Sequence, residues 1–120
     1  MFVIRATYLP KNDMHFDKAY YVAYHIPLAQ RLLAGHVNYL QMYAEFDTRV
    51  MMREHELRAP GVFVLVVESE AEVDRFNAFR RSEHVLPLRD DIKNYTNCEP
   101  EWTVAEVVGS ESPVNTPINK

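Results

Sequence analysis

Residues 61–72 read GVFVLVVESEAE, and two features of this stretch decide the fold. Gly61 to Glu68 is apolar at odd and even positions alike, so the strand it forms needs cover on both faces and belongs inside a sheet. Ser69-Glu70-Ala71-Glu72 then places a Ser at the N-cap and a Glu at N3, the capping-box pattern that opens a helix. Val73, Phe76 and Phe79 give that helix an apolar side.

Upstream of this stretch, Phe2 to Tyr8 alternates Phe2, Ile4, Ala6 and Tyr8 against Val3, Arg5 and Thr7, a strand pattern. Leu9 to His15, with Pro10, Asn12 and Asp13, reads as a loop. A helix follows, with Asp17 as N-cap and Phe16 placed to pack on Tyr21 as a hydrophobic staple. Tyr20, Tyr24, Leu28 and Leu32 recur at helical spacing, with Tyr21 and His25 on one flank, and Gly35 closes the helix. Pro27 removes the backbone bond to Ala23 and predicts a kink just after His25. His36 to Phe46 alternates again, with Asn38, Leu40, Met42, Ala44 and Phe46 on one face and Val37, Tyr39, Gln41, Tyr43 and Glu45 on the other. Asp47 to Pro60 is charged and reads as a long irregular loop anchored by Met51 and Met52.

Downstream of the second helix, Pro87 and Asp90-Asp91 end the helical region, Asn94 to Pro100 is a loop, and Trp102 to Val108 is a last strand. The order β-α-β-β-α-β predicts a ferredoxin-like α+β domain over residues 1–109. Its four-stranded antiparallel sheet carries both helices on one face. Residues 110–120, with Pro113 and Pro117, read as a tail without a core pattern. The other sheet face would expose Tyr39, Tyr43, Val37, Val3 and one side of the third strand. Two such faces packed together predict a homodimer.

Composition bounds the function. The 120 residues carry 13 Lys+Arg against 17 Asp+Glu, a formal charge of -4, with no basic run, which speaks against nucleic acid and anionic membranes as partners. An RNA-recognition module shares the strand order, but the segment Pro60 to Val64 lacks the basic residue and the second ring of its signature. No apolar run approaches a membrane span, and the N-terminus has no basic region followed by an apolar stretch, so a cytoplasmic protein is expected. Five histidines without an i,i+4 pair and the single Cys98, in a polar loop with no basic neighbour, predict neither a metal site nor a thiol nucleophile. Three glycines are too few for phosphate loops or a nucleophile elbow.

The sharpest candidate is His25, which titrates near neutrality and lies one turn after Tyr21 beside the proline kink. It suits a general base acting on a phenolic or enolic substrate, with Tyr21 assisting. The alternative is a core histidine bonded to the carbonyl that Pro27 frees. The tyrosines, Tyr24 among them, suit a flat aromatic or oxygenated ligand where they line a cavity, and packing where they do not. Asp91, which precedes Tyr95, is placed to orient a histidine or to serve as a turn residue.

The string Phe16-Asp17-Lys18-Ala19-Tyr20-Tyr21, continuing to His25-Ile26-Pro27-Leu28, resembles the EthD family, named for ethyl tert-butyl ether degradation. Glu68-Ser69-Glu70-Ala71, Asp91-Ile92-Lys93-Asn94-Tyr95-Thr96 and Pro100 follow in the same order, so the resemblance spans residues 2–108. It departs at Ser82 to Pro87 (SEHVLP), where a short Ser-Pro turn is more usual. The resemblance implies a dimeric α+β barrel, similar in fold to small cofactor-independent monooxygenases, isomerases and cyclases. It singles out Tyr21 and Tyr95 among the tyrosines. Two functions are expected from it: a small cofactor-free enzyme transferring protons at His25, with Tyr24, Asp91 and Tyr95 at the substrate, or a non-catalytic binder serving a partner oxidase.

Overall fold

The computed structural model describes residues 1–109, so the expectation for the tail at 110–120 lies outside the described residues. Strand β1 (Phe2–Tyr8) leads to a helix α1 over residues 18–33, then β2 (Gln41–Val50), β3 (Arg53–Val67), α2 (Glu70–Arg81), a short α3 (Leu86–Asp91) and β4 (Pro100–Glu106). The sheet order is β2-β3-β1-β4 with every neighbouring pair antiparallel, the ferredoxin-like arrangement. The doubly apolar β3 occupies an interior position, between β2 and β1.

Alternation along the central strands divides the apolar residues in two. Ile4, Ala6, Tyr8, Phe63, Leu65 and Val67 join Leu33, Val73, Phe76 and Phe79 from the helices in the main core. Ala59, Val62, Val64 and Val66 form a second, buried cluster with the part-buried Val3 on the opposite face of the sheet. The core residues are of the size and type whose full burial contributes about 1.5–3 kcal/mol each.

Helix α1 begins as its sequence dictates: the Asp17 carboxylate accepts the Tyr20 N–H at 3.0 Å, and Phe16 packs on Tyr21 with ring centroids 5.3 Å apart. Its interior departs from the expectation. Instead of a kink after His25, the turn before Pro27 widens into a π-helical segment, Tyr21–His25, in which the Ile26 N–H reaches back to the Tyr21 carbonyl. Pro27 has no N–H to give and its ring crowds the carbonyl four residues back, so a wider turn there relieves the clash. Gly35 adopts φ +82° beyond the helix end, as the stop signal requires.

Four further expectations are corrected. The charged segment 47–60 is not an irregular loop: β2 and β3 continue as a hairpin ribbon through it, turning at Met51-Met52 with Met52 at φ 71°. Both methionines stand at the tip, 86% and 90% exposed, and anchor nothing. The ribbon projects past the two strands on its far side, so its alternate residues meet solvent and its polar composition suits both faces. Second, residues 34–40 turn rather than extend, and alternation starts only at Gln41. Val37 is therefore buried and Tyr39 half-buried against the helix-side core, which leaves Tyr43, Val3 and the β3 valines for the open face. Third, the Glu72 carboxylate does not return to Ser69; it accepts the Asn38 N–H at 2.9 Å and pairs with Arg75. Cys98, expected in a polar loop, is buried in the core.

Gly61 has a steric role. A Cβ at that position would lie 2.6 Å from Phe16 Cζ, and Phe16 is wedged among Tyr8, Tyr21, Phe46 and Tyr95. Gly61→Ala is therefore expected to destabilise the domain by about 1–3 kcal/mol, lowering Tm by roughly 4 °C or more per kcal/mol. Thermal unfolding measures this loss, and Phe16→Leu in the same chain should return part of it.

Candidate functional site

A cavity of about 270 Å³ lies between α1, α2, α3 and the sheet. Its wall is mostly apolar, with Phe63, Phe76, Phe79 and Trp102 prominent, and its uncharged polar groups come from Tyr8, Tyr21 and His25. Each element contributes by its own periodicity. Strand alternation that sends Ile4 and Ala6 to the core also sends Tyr8 there, and the π-turn carries Tyr21 and His25 on one flank of α1. The segment 82–94 is a series of short helices, with Ser82 accepting the His84 N–H at 3.2 Å and Pro87 in the first turn of α3. This series occupies the place of the Ser-Pro turn and delivers Val85, Leu88, Arg89 and Ile92 to the wall.

His25 does not bond the carbonyl freed by Pro27. Its Nδ1 lies 2.9 Å from Asp91 Oδ2 and its Nε2 3.4 Å from the Tyr95 hydroxyl, with both the imidazole and the carboxylate nearly buried (8% and 12% exposed). The other carboxylate oxygen accepts from the Tyr20 hydroxyl at 2.6 Å and from Asn94 Nδ2 at 2.9 Å. Burial works to raise the Asp91 carboxyl, but donors from Tyr20, Asn94 and His25 outweigh it and hold the group below its ordinary value. Asp91 is thus ionised at neutral pH. Burial pushes the His25 imidazole below its ordinary value, and the hydrogen bond and charge of Asp91 only partly offset that. The ring is therefore neutral near pH 7, with Nδ1–H donating to Asp91 and the Nε2 lone pair free to accept.

The Tyr95 hydroxyl supplies that Nε2 contact and lies 2.5 Å from the Tyr8 hydroxyl. Burial raises both phenols, so each stays protonated and passes a proton only by taking up another. A continuous chain of Asp91, His25, Tyr95 and Tyr8 runs from a fixed carboxylate to the cavity. Tyr21 stacks on the imidazole with centroids 5.0 Å apart, and its buried hydroxyl has no partner among the described residues.

Of the residues singled out in the sequence, His25 and Tyr21 line the cavity, while Asp91 and Tyr95 stand behind that wall and touch His25. Tyr24 is 63% exposed, packs on Tyr20 and takes no part in the wall. Tyr8, Arg80, Arg89 and Trp102 line the cavity without having been anticipated. For Tyr8 the signal was present in the alternation of β1: a hydroxyl at the end of an otherwise apolar face. For the arginines there was none, since cations in the last turn of a helix are ordinary. No group of three or more metal-ligating side chains is found among the described residues, and no described helix is long and apolar enough to cross a membrane.

The fold and the site together define a ferredoxin-like α+β protein with a buried histidine–carboxylate pair beside an apolar cavity. No protein-family model matches the chain, and no curated protein matches it. Solved structures do. An EthD-like protein from Ralstonia eutropha JMP134 superposes with TM-score 0.74 at 21% identity, over 92% of this chain and 95% of the other. An ethyl tert-butyl ether degradation (EthD) family protein from Bacillus halodurans C-125 gives TM-score 0.56 at 14% identity, over 90% of this chain and 99% of the other. The resemblance to EthD proteins that the Phe16–Leu28 string carried thus extends to the fold of the whole domain.

The lowered pKa of His25 gives the site a signature in stability. Unfolding returns His25 to its ordinary value of 6.5, so below that pH the unfolded chain binds a proton that the folded one does not. The stability that follows from a neutral His25 is fully present above pH 6.5 and is lost as pH falls from there toward the folded-state pKa. Tm measured across this interval is expected to fall less steeply in His25→Gln than in the parent chain.

Proposed function

We propose that this protein is a small enzyme that moves a proton on an oxygenated or aromatic metabolite, with His25 as the base and no cofactor required for that step. The observation that carries the reading is the hydrogen-bonded chain Asp91–His25–Tyr95–Tyr8 ending at an apolar cavity. A ligand hydroxyl, or a C–H beside a carbonyl, gives its proton to the Tyr8 oxygen. Tyr8 passes its own to Tyr95, and Tyr95 passes its own to His25 Nε2. The imidazolium so formed is stabilised by the ionised Asp91, which also fixes the tautomer of the neutral ring. Tyr21, stacked on that ring, offers its unpaired hydroxyl to the ligand oxygen as negative charge develops there.

The test uses a neutral, enolisable aromatic ketone, 2-tetralone, whose α-hydrogens exchange with deuterium when a base acts on them. The full-length protein is expected to accelerate that exchange, and His25→Gln to slow it by about 10²–10⁴-fold. Asp91→Asn, which leaves the ring without its anion, should lower the rate while Tyr24→Phe leaves it unchanged. Binding of the ketone without any acceleration would leave a metabolite-binding or accessory protein in place of an enzyme.

We also propose that two copies pair through the open sheet face. Support comes from Tyr43, 39% exposed beside Val64 on the sheet face opposite the main core, and from the part-buried Val3, both next to the buried cluster of Val62, Val64 and Val66. The Arg5–Glu45 ion pair, 3.8 Å apart, joins the strands flanking this cluster and gives it a polar element. Tyr43→Glu is expected to shift sedimentation from dimer toward monomer. A parent chain sedimenting as a monomer at micromolar concentration would overturn the proposal.

A further inference from the structure

Two residues of the cavity wall carry permanent charge. Arg80 leaves the last turn of α2 with its guanidinium carbon 4.3 Å above the Trp102 ring, and Arg89 on α3 donates from Nη2 to the Arg80 carbonyl at 3.0 Å. Neither forms an ion pair among the described residues, nor does the neighbouring Arg81. Among the described residues no Asp or Glu lines the cavity; Asp91 sits behind His25 and is occupied by three donors. Acidic residues outnumber basic ones 17 to 13 in the chain, so two arginines without a carboxylate on an apolar wall run against its overall charge. Burial, then repulsion from Arg89 and Arg81, lowers the pKa of Arg80, a cost that an arriving anion would relieve.

On the same cavity wall, the Tyr21 hydroxyl is buried beside Tyr8 and His25 without a hydrogen bond of ordinary geometry among the described residues. A buried hydroxyl left unpaired is costly, and on a cavity wall a ligand oxygen satisfies it. The flat rings of Phe63, Phe76 and Phe79 line the same cavity.

We propose that the ligand of this cavity is a cyclic or aromatic carboxylate, its anionic group held by Arg80 and Arg89, its ring between the phenylalanines, and a hydroxyl or carbonyl oxygen at Tyr21, Tyr8 and His25. The inference rests on the proton-transfer reading of the cavity and deepens it by naming the substrate class. Planar guanidinium groups suit a carboxylate through paired N–H donors. Arg80, held on Trp102 and bonded through its carbonyl to Arg89, is positioned in advance.

Three probes with one ring system test this: 2-naphthoate, 2-naphthalenemethanol and 2-naphthylmethylammonium, titrated against the full-length protein by calorimetry. The carboxylate is expected to bind about ten-fold or more tightly than the alcohol, and the ammonium to bind most weakly. Arg80→Gln combined with Arg89→Gln should close the gap between carboxylate and alcohol. Because Arg80 also packs on Trp102, Arg89→Gln alone serves as the milder variant, reducing the carboxylate preference part-way at unchanged alcohol affinity. Added salt should weaken only the carboxylate in the parent chain. Equal affinity for carboxylate and alcohol, tighter binding of the ammonium, or an undiminished gap in the double variant would overturn the inference while leaving the proton-transfer reading standing. A carboxylate preference together with 2-tetralone exchange indifferent to His25→Gln would do the reverse. Failure of all three probes to bind would end both.

Discussion

The Asp91 carboxylate is nearly buried, and a buried charge is tolerable only where donors surround it. Three do, from two parts of the chain: Tyr20 and His25 on α1, and Asn94 just beyond α3. That requirement fixes the first helix against the segment that links α2 to β4. Besides this carboxylate, the Tyr95 hydroxyl at His25 Nε2 is a polar contact that holds the π-turn where Tyr21 and His25 meet the cavity. The same carboxylate sets the chemistry, since it selects the Nδ1–H tautomer and leaves Nε2 as an acceptor.

The cavity follows from local irregularities superimposed on a regular sheet. Tyr21 and His25, four residues apart, share one flank of α1, and through the π-turn ahead of Pro27 their rings stay stacked. After α2 the chain forms a series of short helices over 82–94 rather than a simple turn, and these bring Arg89 and Ile92 to the wall. The resulting space joins two electrostatic regimes. Its wall holds neutral hydroxyls whose ionisation burial suppresses, and it holds the half-buried Arg80 and the exposed Arg89, neither of which has an ion-pair partner among the described residues.

Much of this was legible in the chain. Residues 61–72 announced an interior strand and the helix after it, Asp17 and Gly35 bounded the first helix, and the element order led to the observed sheet. His25 stood out because an ionisable ring in an apolar stripe next to a helix-interior proline is conspicuous in one dimension. Local periodicity carries such information because backbone geometry repeats over a few residues. It misled where a pattern had two solutions: the charged alternation at 47–60 serves a projecting ribbon as well as a loop, and the Ser69–Glu72 spacing serves a capping box as well as a tether for Asn38.

The partners of His25 are 66 and 70 residues away, and Tyr8 lies 87 residues from Tyr95. No spacing rule reaches that far. Asp91, one of a pair of acidic residues after a proline, reads the same along the chain whether it faces solvent or an imidazole, and Arg80 and Arg89 read as ordinary helix cations. By itself the sequence determined the order of strands and helices, the apolar faces of β1, β3 and the two long helices, and that His25 and Tyr21 share a flank. Only the tertiary structure decided which hydroxyls, carboxylate and cations come to that flank, because burial, hydrogen-bond pairing and the absence of a counterion are properties of groups made neighbours by folding.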